Sequence, residues 1–362
     1  MRNAIAALLL AASLIAATGM APANADLHKD LGKNLTENYI RPATVHFSNA
    51  AAALTGALEF LCREPDSKRE SFVHSRFNTL VNSWFRIQFL RFGPMVEDNR
   101  FERIFFWPDP RGVTLRQVQD VLSGYDRTAI NPDQLAEKSV ALQGLLALEY
   151  ALYGTGAEGI VAGSPEGRYR CAYALAVSQR LTAVAAELAE AWSSDGSFAY
   201  QFMFPGPDND LYRNDEEVAA EAIKAMVTGL TFVSDAIITP FVAKEPENAN
   251  HKRAPFWRSG LTIPAIRNAM DGLHSFYTET GFAEALDETD TWIDGGLQLE
   301  LRNVATSLER IDMPLEEAVM PGPGRETLIY VVIALKSLHT TIEGRLAQAV
   351  GVAVGFNALD GD

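Results

Sequence analysis

The amino-acid sequence predicts an all-α fold. Apolar residues recur at intervals of three and four along nearly every long segment, which is typical of a helix with one buried face. Runs of alternating β-branched residues, which would indicate strands, are nearly absent. Loops rich in proline and glycine separate the segments, whose lengths suit helical bundles. The predicted helices, in chain order, are 35–61, 67–91, 114–122, 132–153, 168–192, 216–239, 263–278, 289–311 and 325–350.

The first 25 residues have the features of a cleaved secretory signal peptide. Arg2 gives a basic start, an apolar run covers about residues 4–17, and the small-residue sequence Ala23-Asn24-Ala25 precedes the expected cleavage point. No cysteine stands at that point to carry a lipid anchor. We therefore expect cleavage after Ala25 and a mature protein free in the periplasm. We expect no later apolar run to reach the roughly 18 to 20 residues of a membrane span.

The best candidate for a domain boundary is the polar and glycine-containing stretch 193–215. The predicted organisation is a signal peptide at 1–25, an N-terminal helical bundle at 26–200 and a C-terminal helical bundle at 201–362.

The overall charge argues against nucleic acid as a partner. The chain contains 46 Asp and Glu against 31 Lys and Arg, for a formal net charge of −15. Such a surface repels nucleic acid and anionic lipid. It would attract cations, although an acidic surface more often serves solubility alone.

The chain contains two cysteines, Cys62 and Cys171. In an oxidising compartment a disulfide between them is favoured over two free thiols. A metal site built on these two residues alone is disfavoured, because neither has a second Cys or a His at ligand spacing.

One acidic residue, Glu149, stands in the middle of the very apolar segment GLLALEYALYG, residues 144–154. Asn131 and Pro132 are typical of the start of the predicted helix 132–153, and Gly154 is typical of its end. Gly144 is expected to leave a groove inside this helix. The residues three and four positions from Glu149 are Leu145, Leu146, Leu152 and Tyr153, so its carboxylate points into apolar surroundings.

An unpaired buried carboxylate is costly, so Glu149 needs an arginine, a metal ion or a hydrogen-bonding ligand as its partner. From physical chemistry alone, a salt bridge between helices is favoured. The candidate cations are Arg86, Arg91, Arg302 and Arg325.

Other candidates for chemistry are few. The usual hydrolase motifs are missing from the sequence. His339 and Glu343 are four residues apart on one predicted helix and could touch a metal ion, but a surface ion pair is favoured.

Several segments together resemble the imelysin family. Its signature is a helix reading G-x-H-x-x-E, and Gly144, Glu149 and Gly154 fit this helix and its end. Further similar stretches are FLCREP, RYRCAYA, SWFRIQFLRFGP, WPDPRG, APFWRSGLTIPAIRNAM and the terminal VGVAVGFNALDGD. The chain departs from the signature at Leu146, which stands where the family has histidine and cannot ligate a metal.

The resemblance implies two four-helix bundles that face each other, with the signature helix near their junction. It also implies a role as a periplasmic binding or accessory protein of iron acquisition, with Gly144, Leu146 and Glu149 marking the site region. Iron or another divalent cation is then the expected ligand, with Glu149 as a possible metal ligand and iron-uptake components of the cell envelope as partners. The alternatives are a protein-interaction scaffold without a small-molecule site and a metallopeptidase, which Leu146 disfavours.

Overall fold

Helices dominate the part of the chain that the computed structural model describes, which is residues 28–353. No strand occurs in this range, so the prediction of an all-α fold is confirmed. The predicted signal peptide, residues 1–25, lies outside the described residues. The helices, numbered here in chain order, are α1 (31–63), α2 (Ser67–Phe85), α3 (Arg100–Ile104), α4 (Val113–Gly124), α5 (Pro132–Ala136), α6 (Gly144–Tyr153), α7 (Pro165–Ala191), α8 (Ser197–Met203), α9 (Asp215–Val242), α10 (Thr262–Thr278), α11 (Thr291–Glu309), α12 (Leu315–Ala318) and α13 (323–349).

Three of the long helices contain a π-helical segment. These segments are Leu35–Ile40 in α1, Phe232–Ile238 in α9 and Thr341–Leu346 in α13. Each lies within a helix that the apolar spacing predicted as one piece, because the periodic pattern does not distinguish i→i+4 from i→i+5 hydrogen bonding.

Side-chain caps account for the starts of several long helices. The Asp66 carboxylate accepts the backbone N–H of Arg69 at the start of α2, and the Ser164 hydroxyl accepts that of Gly167 at the start of α7. Asn214 caps α9 in the same way. These side chains bind N–H groups that have no partner within the helix, which stabilises each helix by about 1 kcal/mol.

The helices pack as two groups that touch. In the first group, α1 lies along both α2 and α7, and α6 packs against α7 and α4. In the second, α10 and α13 both pack on α11, and α9 packs on α13. The groups meet where α2 contacts α10 and where the first turn of α1 contacts α9. The division into domains at about residue 200 stays a prediction.

The predicted disulfide is present. Cys62, near the end of α1, is bonded to Cys171 in the second turn of α7, with their Cα atoms 5.6 Å apart. The bond joins two helices that lie along each other, so it ties together the first group.

Helix α9 corrects one expectation. At 28 residues it is long and apolar enough to cross a membrane, although no such run was expected after the signal peptide. Within the fold, 72% of its most apolar window is buried against other helices. This burial is typical of a core helix, which satisfies the same length and composition criteria as a membrane span.

Candidate functional site

The prediction of one continuous helix over residues 132–153 is wrong in its middle. Its start is as expected, since the Asn131 side chain accepts the N–H groups of Asp133 and Gln134. Helix α5 then ends at Ala136, and a 3₁₀ turn at Val140–Leu142 leads into a new helix, α6. The signature segment is therefore a short helix of its own.

Gly144 starts α6 and does not form a groove within a longer helix. Its φ is +76°, a conformation that favours glycine. A Cβ atom there would lie 2.5 Å from the carbonyl oxygen of Ile104 and 2.7 Å from that of Arg103. The glycine is needed because α6 begins directly against the backbone of α3.

Glu149 is buried in the fold, with 2% of its surface exposed. Its Oε1 atom accepts two hydrogen bonds from Ser259, one from the backbone N–H and one from the side-chain hydroxyl, each 2.9 Å long. Ser259 lies in the loop before α10, so this contact joins α6 of the first group to the second group. We call this loop, residues 254–261, the junction loop.

Phe256 anchors the junction loop close to Glu149. Its ring is fully buried, stacks on Phe105 with centroids 5.6 Å apart, and contacts the edges of Phe77 and Phe85. Its φ of +59° is unfavourable for a bulky residue. The aromatic packing from α2 offsets this strain and fixes where Ser259 meets the carboxylate.

The protonation of Glu149 reflects opposing effects. Burial raises the pKa of its carboxyl above the ordinary value, while the two hydrogen bonds from Ser259 and the positive charge of Arg258 act to lower it. Arg258 makes no ion pair with Glu149 within 4.0 Å in residues 28–353. Its guanidinium carbon instead lies 4.3 Å from the Trp257 ring centroid and 5.1 Å from that of Tyr150.

None of the four arginines suggested by sequence is the partner of Glu149. Their side chains have other contacts: Arg86 donates to the Ser275 hydroxyl, Arg91 lies between the rings of Phe101 and Phe232, Arg302 donates to Gln298, and Arg325 donates to the carbonyl oxygens of Val242, Val319, Ala243 and Lys244. The prediction of a salt bridge to one of them is wrong, because within residues 28–353 none of them lies within 4.0 Å of the Glu149 carboxylate, which is bound by Ser259 instead.

Sequence reasoning missed Ser259 and Arg258 as neighbours of Glu149. Both lie in APFWRSGLTIPAIRNAM, a segment singled out only for its family resemblance. The weak available signal was a serine followed by Gly260 just before a predicted helix, where loop N–H groups often lack a helical partner.

Leu146 is half-buried and packs against the core. Tyr153, at the end of α6, stacks on the ring of His74 of α2 with centroids 4.2 Å apart. Within residues 28–353, no group of three or more His, Cys, Asp or Glu side chains is placed to hold a metal ion. The region around Glu149 thus lacks a ready set of metal ligands.

A cleft of about 810 Å³ adjoins the Glu149 contact. Arg258 and Ser259 of the junction loop line it together with residues from the end of α11 to the start of α12. Ser259 therefore binds the buried carboxylate and also lines the cleft. The other candidate pair is separate: His339 Nδ1 and Glu343 Oε2 lie 3.6 Å apart on α13, which forms the expected ion pair when the histidine is protonated.

The chain belongs to the imelysin family: the family model described as Imelysin matches residues 39–342. Among solved structures, the fold is similar to an imelysin-like protein from Psychrobacter arcticum 273-4, with a TM-score of 0.75 and 17% identity over 92% of this chain and 98% of that one. It is also similar to an iron-regulated protein A precursor from Parabacteroides distasonis ATCC 8503, with a TM-score of 0.70 and 14% identity over 90% and 97% of the two chains. No curated protein sequence matches this chain.

Proposed function

We propose that this chain is an exported, non-enzymatic imelysin-like protein that serves iron acquisition from the periplasm and binds a ligand in the cleft beside Glu149. Family membership supports this role, as does the similarity to a protein named as iron-regulated. The disulfide supports an oxidising compartment. Iron-uptake components of the cell envelope are the partners that this role implies.

One observation carries the proposal of a binding site. The Glu149 carboxylate of the signature helix holds Ser259 through two hydrogen bonds, and Ser259 with its neighbour Arg258 lines the cleft. In this account the signature carboxylate positions the wall of a ligand site at the meeting of the two helix groups. Clefts of this size between packed elements are common ligand sites.

The residues present do not fit a bare iron ion at Glu149. Oε1 already accepts two hydrogen bonds, Leu146 offers no ligand atom, and Arg258 places a positive charge nearby. A divalent cation needs several oxygen, nitrogen or sulfur ligands in one place. We therefore place the ligand in the cleft and treat Glu149 as the residue that shapes it.

A protein-interaction scaffold is the second candidate function. The observation that favours it is that Oε1 of Glu149 accepts both of its hydrogen bonds from the chain itself, without any ligand. The two candidates differ in whether the cleft residues matter for function.

A deletion strain of the source bacterium tests the proposal. Deletion should slow growth and lower uptake of radioactive iron in iron-restricted medium, and the wild-type gene should restore both. The rescuing protein should be found in the periplasmic fraction with Asp26 as its first residue. Uptake and growth that do not change on deletion would overturn the iron role.

Variants of the cleft separate binding from scaffolding. Asp312→Asn combined with Glu316→Gln alters two exposed side chains that line the cleft. If the cleft binds a ligand, this variant should fail to restore iron uptake, whereas the exposed loop substitution Asp208→Asn should restore it. Full rescue by the cleft variant would favour the scaffold.

A further inference from the structure

The cleft beside the junction loop has walls of opposite charge. Arg258 and Arg267 belong to the junction loop and α10, which we call one wall, and Asp312 and Glu316 belong to the segment after α11, which we call the other. Partly exposed apolar residues, including Ile263 and Leu315, also line the cleft.

The opposite charges are kept apart across most of the cleft. One ion pair, from Arg267 to Glu309 at 3.7 Å, lies at this site. Arg258, Asp312 and Glu316 form no ion pair within 4.0 Å in the part of the chain that the structure describes. A guanidinium on one wall and two carboxylates on the other therefore remain available to a ligand.

Arg258 is preorganised for a carboxylate. Its guanidinium lies against the rings of Trp257 and Tyr150, which restricts its motion. The backbone of the same loop is fixed by the hydrogen bonds between Ser259 and Glu149. A planar guanidinium held in this way can donate two parallel hydrogen bonds to one carboxylate at low entropic cost.

The charge pattern selects against ligands of a single sign. An anion drawn to Arg258 would meet the carboxylates of Asp312 and Glu316, and a cation drawn to these two would meet Arg258. A ligand that carries both a carboxylate and an ammonium group is attracted by both walls. The apolar residues of the lining suit an aliphatic side chain.

We propose that this cleft binds a small zwitterion with an apolar side chain, either a free amino acid or a short peptide. Its carboxylate would lie on Arg258, its ammonium on Asp312 and Glu316, and its side chain on Ile263 and Leu315. The volume of about 810 Å³ is sufficient for either source of this chemistry. This inference rests on the proposed binding role of the cleft and names its ligand class.

Calorimetric titration of the mature protein with four probes tests the charge requirement. The probes are leucine, leucyl-leucine, N-acetyl-leucyl-leucine without the ammonium, and leucyl-leucine amide without the carboxylate. Leucine or the dipeptide should bind, and removal of either charge from the dipeptide should weaken its binding at least tenfold. Tighter binding of leucine would assign a free amino acid, and tighter binding of the dipeptide would assign a peptide.

Removal of the charge on one wall should have the same effect on affinity as removal of the ligand charge that binds there. Arg258→Gln should weaken binding of leucyl-leucine at least tenfold and abolish the difference between the dipeptide and its amide. The Asp312→Asn and Glu316→Gln double variant, on an exposed segment, should also weaken binding of leucyl-leucine at least tenfold. It should abolish the difference in affinity between the dipeptide and its acetylated form. Arg302→Gln and Asp208→Asn remove exposed charges outside the cleft and should leave affinity unchanged.

Two results would overturn the inference. One is no heat of binding for leucine or leucyl-leucine up to millimolar concentration, and the other is equal affinity for the charged and uncharged probes. Neither result depends on the growth or iron uptake of the deletion strain. Failure of the ligand class and failure of the iron role are therefore measured separately.

Discussion

Glu149 and Ser259 lie 110 positions apart in the chain, and both hydrogen bonds between them end on the same carboxylate oxygen. The signature glutamate is thus bound to a loop of the other helix group. Because the N–H of Ser259 is one of the two donors, the carboxylate fixes the loop backbone as well as a side chain. This relationship gives direct predictions for stability.

Replacement of Glu149 by leucine should destabilise the fold by about 1–3 kcal/mol. The change leaves the N–H of Ser259 without its acceptor in a largely buried site, while the Ser259 hydroxyl can still donate to the Phe256 carbonyl oxygen. Glu149→Gln keeps an acceptor oxygen at the same place and should cost less than about 1 kcal/mol. Urea unfolding of both variants measures the difference. Equal losses for the two variants would show that the hydrogen bonds contribute little.

The stability of the wild type should depend on pH through Glu149. Burial raises the pKa of this carboxyl in the folded protein, so the folded state binds the proton more tightly than the unfolded state. Relative to Glu149→Gln, the free energy of unfolding of the wild type should therefore fall as the pH rises from about 4.3 through the raised folded pKa. Urea unfolding of both proteins at several pH values between 4 and 8 tests this sign. A free energy of unfolding that rises with pH for the wild type relative to Glu149→Gln would contradict it.

The disulfide should contribute strongly to stability. Its cysteines are 109 positions apart, and closure of a loop of this length contributes about 4–5 kcal/mol in the chain-entropy model. The double substitution Cys62→Ala and Cys171→Ala should lower the free energy of unfolding by an amount of this order. Titration of the denatured, unreduced wild type should detect no free thiol, and two titratable thiols would contradict the bond.

Restoring the family histidine should not by itself create a metal site. Leu146→His places an imidazole three residues before Glu149 on the same helix face. Oε1 of Glu149 is already engaged by Ser259, and in residues 28–353 no further group of metal ligands lies nearby. Calorimetry with zinc and with ferrous iron should give the same weak binding for wild type and variant. A gain of tenfold or more would show that Glu149 can serve as a metal ligand.

The long helices could be predicted from the sequence to within a few residues at most ends. Their apolar spacing is regular, and residues such as Asp66, Ser164 and Asn214 mark where they begin. The break before Gly144 could not be predicted, because the apolar pattern continues through it. What requires the break is the close approach of Gly144 to the carbonyl oxygens of α3, which is a tertiary contact.

The burial of Glu149 could be predicted from its neighbours in the helix, but its partner could not. Arginine was the expected partner on electrostatic grounds. The structure supplies a backbone N–H and a hydroxyl from the distant Ser259, and it places Arg258 close enough to affect the pKa without an ion pair. Local spacing carries no information about a loop that is brought in by the packing of Phe256 on Phe105.

A double-mutant cycle between Glu149 and Ser259 tests the central claim, that the signature carboxylate holds the junction loop. Unfolding free energies are needed for wild type, Glu149→Leu, Ser259→Ala and the double variant, with Thr340→Ala at an exposed position of α13 as a control for Ser259→Ala. Residues in direct contact show coupling energies of about 0.5–3 kcal/mol. We predict a coupling in this range for Ser259 and additive effects for Thr340. Additive effects for Glu149 and Ser259, within about 0.3 kcal/mol, would contradict the account.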